Sequence, residues 1–297
     1  PRPAGVPEGH GPEGMTRWRI GDVTITRIIE TEDQSMTAAA MLPEATPANL
    51  APLGWLRPHF VSESGQLISS IHSLLVESRG QRIVIDTCLG NDKPRIVPQW
   101  HRRQGRFLED IAAAGFARDR VDYVVCTHLH PDHVGWNTML VDGRWVPTFP
   151  SARYVFSAKD WDWLDQAPVS ALGDYAGDSV RPVFAAGQGD CVAPGFRITD
   201  EVWLESTPGH SPGHVSIRIA SRGEHAVVTG DLMHHPCQIA RPRWSSPFDF
   251  DKAAALQTRL DFLERYGDQP VLVFGSHFAT PSAGRIVRDG DAWRLDV

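Results

Sequence analysis

The sequence predicts an α/β protein in which two packed β-sheets are flanked by helices. Strand-like runs come in groups, with helical stretches interspersed between the groups. No glycine-rich nucleotide loop follows the first strand, which argues against a doubly wound dinucleotide-binding fold. No low-complexity linker splits the chain, so residues 15–297 are expected to form one domain behind a flexible tail over 1–14.

The elements follow in order. Residues 18–30 (WRIGDVTITRIIE) alternate β-branched and polar side chains around a Gly-Asp turn and predict a hairpin. Residues 31–65 are irregular, carry Pro43, Pro47, Pro52 and Pro58, and are too apolar for a solvated linker. A lid over a site or a contact with a partner subunit is the expected use of such a segment. Residues 67–77 and 82–86 read as adjacent strands, 107–116 (FLEDIAAAGF) as a helix, and 121–127 (VDYVVCT) as a buried strand. A short strand at 154–156 precedes a helix over 158–166. Further strands are expected at 202–206, 215–220, 226–229 and 271–274. The longest helical pattern is 249–266, and 286–295 predicts a closing hairpin.

Composition narrows the function classes. A chain of 297 residues can bury a large core without disulfide staples. Cys88, Cys126, Cys191 and Cys237 lie far apart, and three sit in or beside apolar runs, as buried free thiols do. The net charge of −7 comes with no basic block, so no nucleic-acid partner is expected. No run of about 18 apolar residues occurs, so no membrane span is expected. The start, PRPAGVPEGHGPEG, lacks the apolar stretch of a signal peptide, and a cytoplasmic location is the expectation.

The informative segment is THLHPDHVG, 127–135. It places His128, His130, Asp132 and His133 within six residues at the mouth of a buried strand. Residues two apart at a strand end point to one side, so His128 and His130 can converge on one point. Pro131 then turns the chain, and Asp132 and His133 face a second point nearby. Imidazole and carboxylate are the ligand types that zinc and related ions take. A lone histidine is more often structural; four such groups leaving one strand are not. Later strands end in Thr207-Pro208-Gly209-His210, Gly230-Asp231 and Gly275-Ser276-His277, where small residues permit sharp turns. Taken singly, each of these is equally well read as turn chemistry. Together they describe one rim.

HLHPDH resembles the HxHxDH signature of the metallo-β-lactamase superfamily, and His210, Asp231 and His277 follow in that family's order. The resemblance spans about 67–277 and implies an αββα sandwich of two mixed sheets with a site at one edge. It implies that His128, His130 and His210 hold a first divalent ion, that Asp132, His133 and His277 hold a second, and that Asp231 bridges both. Zinc is the first choice, with manganese, cobalt or iron as alternatives. The best-known class of true β-lactamases has a cysteine at the bridging position, so antibiotic hydrolysis is not implied. Asp86 in IVIDTC resembles the family's strand-end aspartate that orients a ligand histidine. The family pattern favours His210 over His214, which is expected to be structural or to support a ligand. Trp136, His234 and His235 are candidate substrate contacts, and Trp55 or Phe60 could line an apolar pocket.

Two such ions can share a water and lower its pKa towards neutrality, with Asp132 as the group that holds it and moves a proton. The expected activity is cleavage of a small-molecule lactone or carboxylic ester. The stretches GDLMHHP and GSHFATPSAGRI resemble the branch of acyl-homoserine lactonases and methyl-parathion-type phosphotriesterases, and phosphotriester hydrolysis is the alternative. In those lactonases a tyrosine follows the bridging aspartate closely; here the residues are Leu232-Met233-His234-His235. An iron-bearing redox protein of the same fold is the reading from another class, although its usual HxExD glutamate is replaced by His130. A homodimer is compatible with the apolar 31–65 segment.

Overall fold

Alternate residues of TRWRI are buried, and β1 (Thr16–Ile20) pairs antiparallel with β2 (Val23–Asp33) across Gly21-Asp22. The computed structural model describes residues 15–33 and 38–297, so the tail expected over 1–14 lies outside the described residues. The first sheet continues through β3 (Ser69–Ser78), β4 (Gln81–Ile85) and β5 (Tyr123–Val125). A separate two-stranded hairpin follows, β6 (Thr138–Val141) with β7 (Arg144–Pro147), before β8 (Arg153–Ser157) and β9 (Gly189–Val192) rejoin the sheet. Its order is β1-β2-β3-β4-β5-β8-β9, antiparallel up to β4 and parallel beyond.

The second sheet holds β10 (Val202–Ser206), β11 (Val215–Ser221), β12 (Glu224–Val228), β13 (Val271–Phe274), β14 (Ala283–Asp289) and β15 (Ala292–Asp296) in sequence order. Only β12 and β13 run parallel, so both point their carboxyl ends at the same edge. Their runs AVV and VLVF are buried on both faces, which is why they read as continuous rather than alternating.

Three apolar layers result. Between the sheets, Trp18, Ile25, Leu74, Ile85 and Val125 meet Leu204, Ile217, Val228 and Phe274. Outside the first sheet, Phe107 and Ile111 of helix Phe107–Ala113 and Leu164 of helix Ala158–Gln166 cover Leu75, Val84, Val124 and Phe156. Outside the second, Phe262, Leu263 and Tyr266 of helix Lys252–Tyr266 cover Val227, Val273 and Ile286. Each such side chain, fully buried, contributes about 1.5–3 kcal/mol. The order is helix, sheet, sheet, helix, and the fold is a mixed α/β sandwich.

Three expectations need correction. The 249–266 helix starts later, at Lys252, because Asp251 caps it through hydrogen bonds from the Ala253 and Ala254 amides, each 3.0 Å. The segment from 41 to 61 is not irregular throughout. Met41, Leu42, Leu50, Leu53, Leu56 and Phe60 are buried in the outer core of the second sheet, where short helices Ala38–Met41 and Pro47–Leu50 carry two of them, Met41 and Leu50. Residues 31–33 belong to β2. The β6–β7 hairpin and β9 were not anticipated, since their residues show no clear period.

Candidate metal centre

Four strand ends meet at one edge of the sandwich. Beyond β5 the chain delivers His128 and His130, and the short helix Pro131–Val134 presents Asp132 and His133. Beyond β10 it delivers His210, beyond β12 Asp231, and beyond β13 His277. Gly209 and Gly230 make the turns possible. Both have positive φ, and a Cβ would lie 2.3 Å from the Ala255 nitrogen in the first case and 2.4 Å from His214 Nε2 in the second.

The structure brings all seven sequence-predicted ligands together. Nitrogen or oxygen atoms of His128, His130 and His210 lie within 4.8 Å of one another, as do those of His128, His133 and Asp231, and those of Asp132, His133 and His277. Asp231 is the common centre. Its Oδ2 lies 3.2 Å from His277 Nε2, 3.6 Å from His210 Nε2 and 3.9 Å from His128 Nε2, and its Oδ1 lies 3.3 Å from His133 Nε2. Asp132 Oδ2 is 3.5 Å from His277 Nε2.

The outer nitrogens are engaged, which fixes the tautomers. His133 Nδ1 donates to Asp86 Oδ2 (2.9 Å), His277 Nδ1 to the Ser70 carbonyl (2.9 Å), and His210 Nδ1 to Asp249 Oδ1 (3.1 Å). Each therefore turns its Nε2 inward. Asp86 also accepts from the Thr127 amide (2.8 Å) and hydroxyl (2.9 Å), and it adopts a left-handed φ of 54° to do so. His214 is no part of the cluster's inner face. Its Nδ1 donates to the Thr207 carbonyl (2.9 Å), and its Nε2 accepts the Asp231 amide (2.8 Å), so it holds the backbone of the central carboxylate.

Electrostatics sort the imidazoles. Burial pushes His128 and His210 well below the usual histidine range and His130 down to about 4, so these stay neutral, the form that binds metal. For His133 and His277 burial acts the same way, but the carboxylates led by Asp231 outweigh it and raise both. Burial would raise Asp231, but the histidines around it, His277 first, hold it well below the carboxylate range.

These residues fit a metal. His133 Nε2 and His277 Nε2 face each other at 3.2 Å, as do His210 Nε2 and His130 Nδ1 at 2.9 Å. Two imidazole nitrogens at such a distance are held by a shared proton or by a metal ion that takes both lone pairs. His128 Nε2 and Asp231 Oδ1 are buried with no hydrogen-bond partner, the state that coordination would relieve.

The cluster forms the floor of a cleft of about 230 Å3 that opens to solvent. His130, Asp132, His210, Asp231, His234 and His277 line its base, and Met41, Val97, Trp100, Leu172 and Phe248 its walls. Two expected contacts are not there. Trp136 is buried, stacks on Phe107 at 5.6 Å and donates its ring N–H to Glu30 (2.7 Å), a carboxylate that also accepts the Leu89 and Gly90 amides. His235 is buried against Phe60, with Nε2 donating to the Phe60 carbonyl (2.8 Å). Phe60 is core, and Trp55 packs against the same core; neither lines the cleft. His234 does line it, with both ring nitrogens unpartnered and Nε2 3.4 Å from Asp231 Oδ2.

A family model described as the metallo-beta-lactamase superfamily matches residues 69–277, spanning every residue of the cluster. The chain belongs to the metallo-β-lactamase superfamily. It is an enzyme of that superfamily, a metal-dependent hydrolase whose His/Asp clusters fit a metal site. Among solved structures it is similar to AidC, a dizinc quorum-quenching lactonase in complex with a product, at 20% identity and TM-score 0.77 over 95% of this chain and 96% of that one. It is also similar to the hydrolase AbOPH in the beta lactamase superfamily (24%, TM-score 0.76, 97% and 99%) and to a probable metal-dependent hydrolase from Staphylococcus aureus (21%, TM-score 0.71, 93% and 98%). At these identities the likeness is one of fold. No curated protein matches the sequence. Among the described residues no helix is long and apolar enough to cross a membrane.

Residues that sequence reasoning missed include Asp249, Asp160 and the walls Trp100, Leu172 and Phe248. Asp160, on helix Ala158–Gln166, accepts from the Ser211 hydroxyl (2.8 Å) and the Gly213 amide (2.5 Å) and so shapes the loop that carries His210. Asp249 sits in FDFDK, where two acids precede a helix that needs only one as its cap. That surplus acid was the available signal.

Proposed function

We propose that this enzyme cleaves lactones or other carboxylic esters with an apolar acyl or alkoxy part, on two divalent ions. His128, His130 and His210 would hold one ion, Asp132, His133 and His277 the other, and Asp231 both; zinc suits this nitrogen and oxygen donor set. The observation that carries the reading is the convergence of these groups on Asp231 at the base of an apolar-walled cleft.

When bound, such a pair supplies a water acidified towards neutrality and a positive field for the substrate oxygen. The chain does the rest. Asp132 lines the cleft beside Asp231 and can orient the attacking water and take its proton. As the water oxygen bonds to the carbonyl carbon, the carbon–oxygen bond to the leaving alkoxide breaks, and Asp132 returns the proton to that alkoxide. His234, whose ring nitrogens make no hydrogen bond within the protein, can donate to the substrate's carbonyl or acyl oxygen. Met41, Val97, Trp100, Leu172 and Phe248 exclude water and receive the apolar part.

No lysine or arginine is among the described residues lining the cleft, so no side-chain cation on its walls receives an anionic group of the substrate away from the ions. Neutral substrates are favoured. Phosphotriesters are neutral too, and that is the ground for a second reading. The name of one neighbour, a lactonase, agrees with the first reading, and that of another, a hydrolase, with either. The test is a panel of lactones, aryl esters, thioesters and phosphotriesters, run on metal-stripped protein and after adding back zinc, manganese or cobalt. Metal-restored turnover of neutral esters or lactones is expected. Turnover of phosphotriesters alone would move the assignment to the second reading, and ester turnover by fully stripped protein would end both.

A further inference from the structure

Two cluster imidazoles hand their outer proton to a carboxylate. One is His133, to Asp86. The other is His210, to Asp249, whose side chain is wholly buried. Asp249 Oδ2 in turn accepts from the Ser246 amide (3.1 Å), the Ser245 hydroxyl (3.2 Å) and Arg259 Nη1 (3.4 Å).

Arg259, on the inner face of helix Lys252–Tyr266, is fully buried as well. Its guanidinium also donates to the carbonyls of Leu232 (3.3 Å) and Pro242 (3.0 Å) and to the Ser245 hydroxyl (3.3 Å). Leu232 is the neighbour of Asp231. The Phe250 amide donates to the His210 carbonyl (3.1 Å) and the Asp251 amide to that of Gly209 (2.9 Å), so the 245–251 segment is fastened along the His210 loop.

We propose that Asp249, held by Arg259, is a positioning residue for His210. It fixes the proton on Nδ1 so that the Nε2 lone pair faces His130 and Asp231, and Arg259 ties that imidazole to the loop carrying Asp231. Without the carboxylate, a buried neutral imidazole can carry its proton on either nitrogen, and the Nε2–H form cannot bind metal through the nitrogen that faces the cluster. The inference rests on the two-metal reading above but makes no use of the substrate.

The test is metal affinity in Asp249→Ala and Asp249→Asn, by competition with a chromophoric chelator on protein shown to be folded by circular dichroism. The expected result in Asp249→Ala is one of two binding steps weakened roughly 10- to 100-fold, with the other unchanged. The visible spectrum of the cobalt(II)-loaded protein should change with it. Asp249→Asn, whose amide oxygen can still accept from Nδ1, should recover part of the loss, and it carries the measurement should the alanine variant unfold. If both steps and the cobalt spectrum match the unsubstituted protein in the folded variant, Asp249 is structural only and the proposal is overturned. An unsubstituted protein that binds two ions but cleaves no ester leaves this inference standing and removes the substrate reading. One that binds no metal overturns both.

Discussion

The floor of the cleft consists of imidazoles and carboxylates delivered by four strand ends, whereas its walls come from segments without strands, where Met41, Val97, Trp100, Leu172 and Phe248 reach in from separate turns and short helices. The floor tolerates few residue types, because donor atoms must match an ion and each outer ring nitrogen must find an acceptor. The walls require only that apolar volume face the substrate, and many side chains satisfy that. On the proposed reading chemistry is concentrated in the floor and selectivity in the walls, and substitutions should separate the two.

The largest effect is expected from Asp132→Asn. The amide keeps the volume but cannot take a proton from the attacking water, and turnover should fall roughly 10²- to 10⁴-fold while the melting temperature moves little. Steady-state kinetics beside a thermal melt checks this. Near-native turnover in a folded variant would remove Asp132 from the proton path.

Next in size is Asp86→Asn. Asparagine accepts the left-handed backbone at this position better than most residues. It cannot accept from the Thr127 amide, the Thr127 hydroxyl and His133 Nδ1 as a carboxylate does. Metal affinity should drop roughly 10- to 100-fold, seen as loss of one ion on dialysis. Retention of both ions would mean that His133 is held well enough by its own helix.

The same division decides how much of the molecule is legible in its amino-acid sequence. HLHPDH is compressed into six residues, and His210, Asp231 and His277 each follow a buried strand after a small residue, so residue type and strand-end placement together point to one site. The sheets are legible because β2, β12 and β13 are rich in β-branched residues and clear turns separate the strands. The walls are not. Trp136, beside the signature, and Phe60, in the apolar segment, look from sequence as suited to a pocket as Trp100 and Phe248. What separates them is a partner far along the chain: Glu30 for Trp136 and the Phe278 ring for Phe60, 6.4 Å away. Asp249 is hidden for the same reason, since its contact with His210 spans 39 residues.

A wall substitution should act in the opposite sense from a floor one. Phe248→Ala removes a half-exposed ring from the cleft and leaves Asp249 in place. The loss for a substrate with an apolar chain should be about 1 kcal/mol, or roughly fivefold in KM, with metal content and kcat close to unchanged. A short-chain ester should show less. An equal loss on long and short substrates would place the chain-binding surface elsewhere, with Trp100 and Leu172 as the next candidates.

The smallest effect on the metal site and on turnover lies beneath the wall. Lys93 precedes the segment that carries Val97 and Trp100 into the cleft, and its ammonium is fully buried. Nζ donates to Thr138 Oγ1 (2.5 Å) and the Asp178 carbonyl (2.9 Å), and it lies 3.7 Å from Asp178 Oδ1 and 3.7 Å above the Trp145 ring. Burial pushes it down to about 7 from 10.5; Asp178 resists that shift and Arg95 adds to it. Between those two values the unfolded chain binds more protons at this position than the folded one, so this group's contribution to stability is present above 10.5 and is lost as pH falls towards 7. Urea unfolding at about pH 7 and about pH 10 should therefore show a rise in stability with pH, and Lys93→Met should flatten it. Since Lys93 touches no cleft residue of the floor, the variant's metal content should match that of the unsubstituted enzyme. A slope that survives the substitution would assign it to another group and leave Lys93 charged throughout, paired with Asp178.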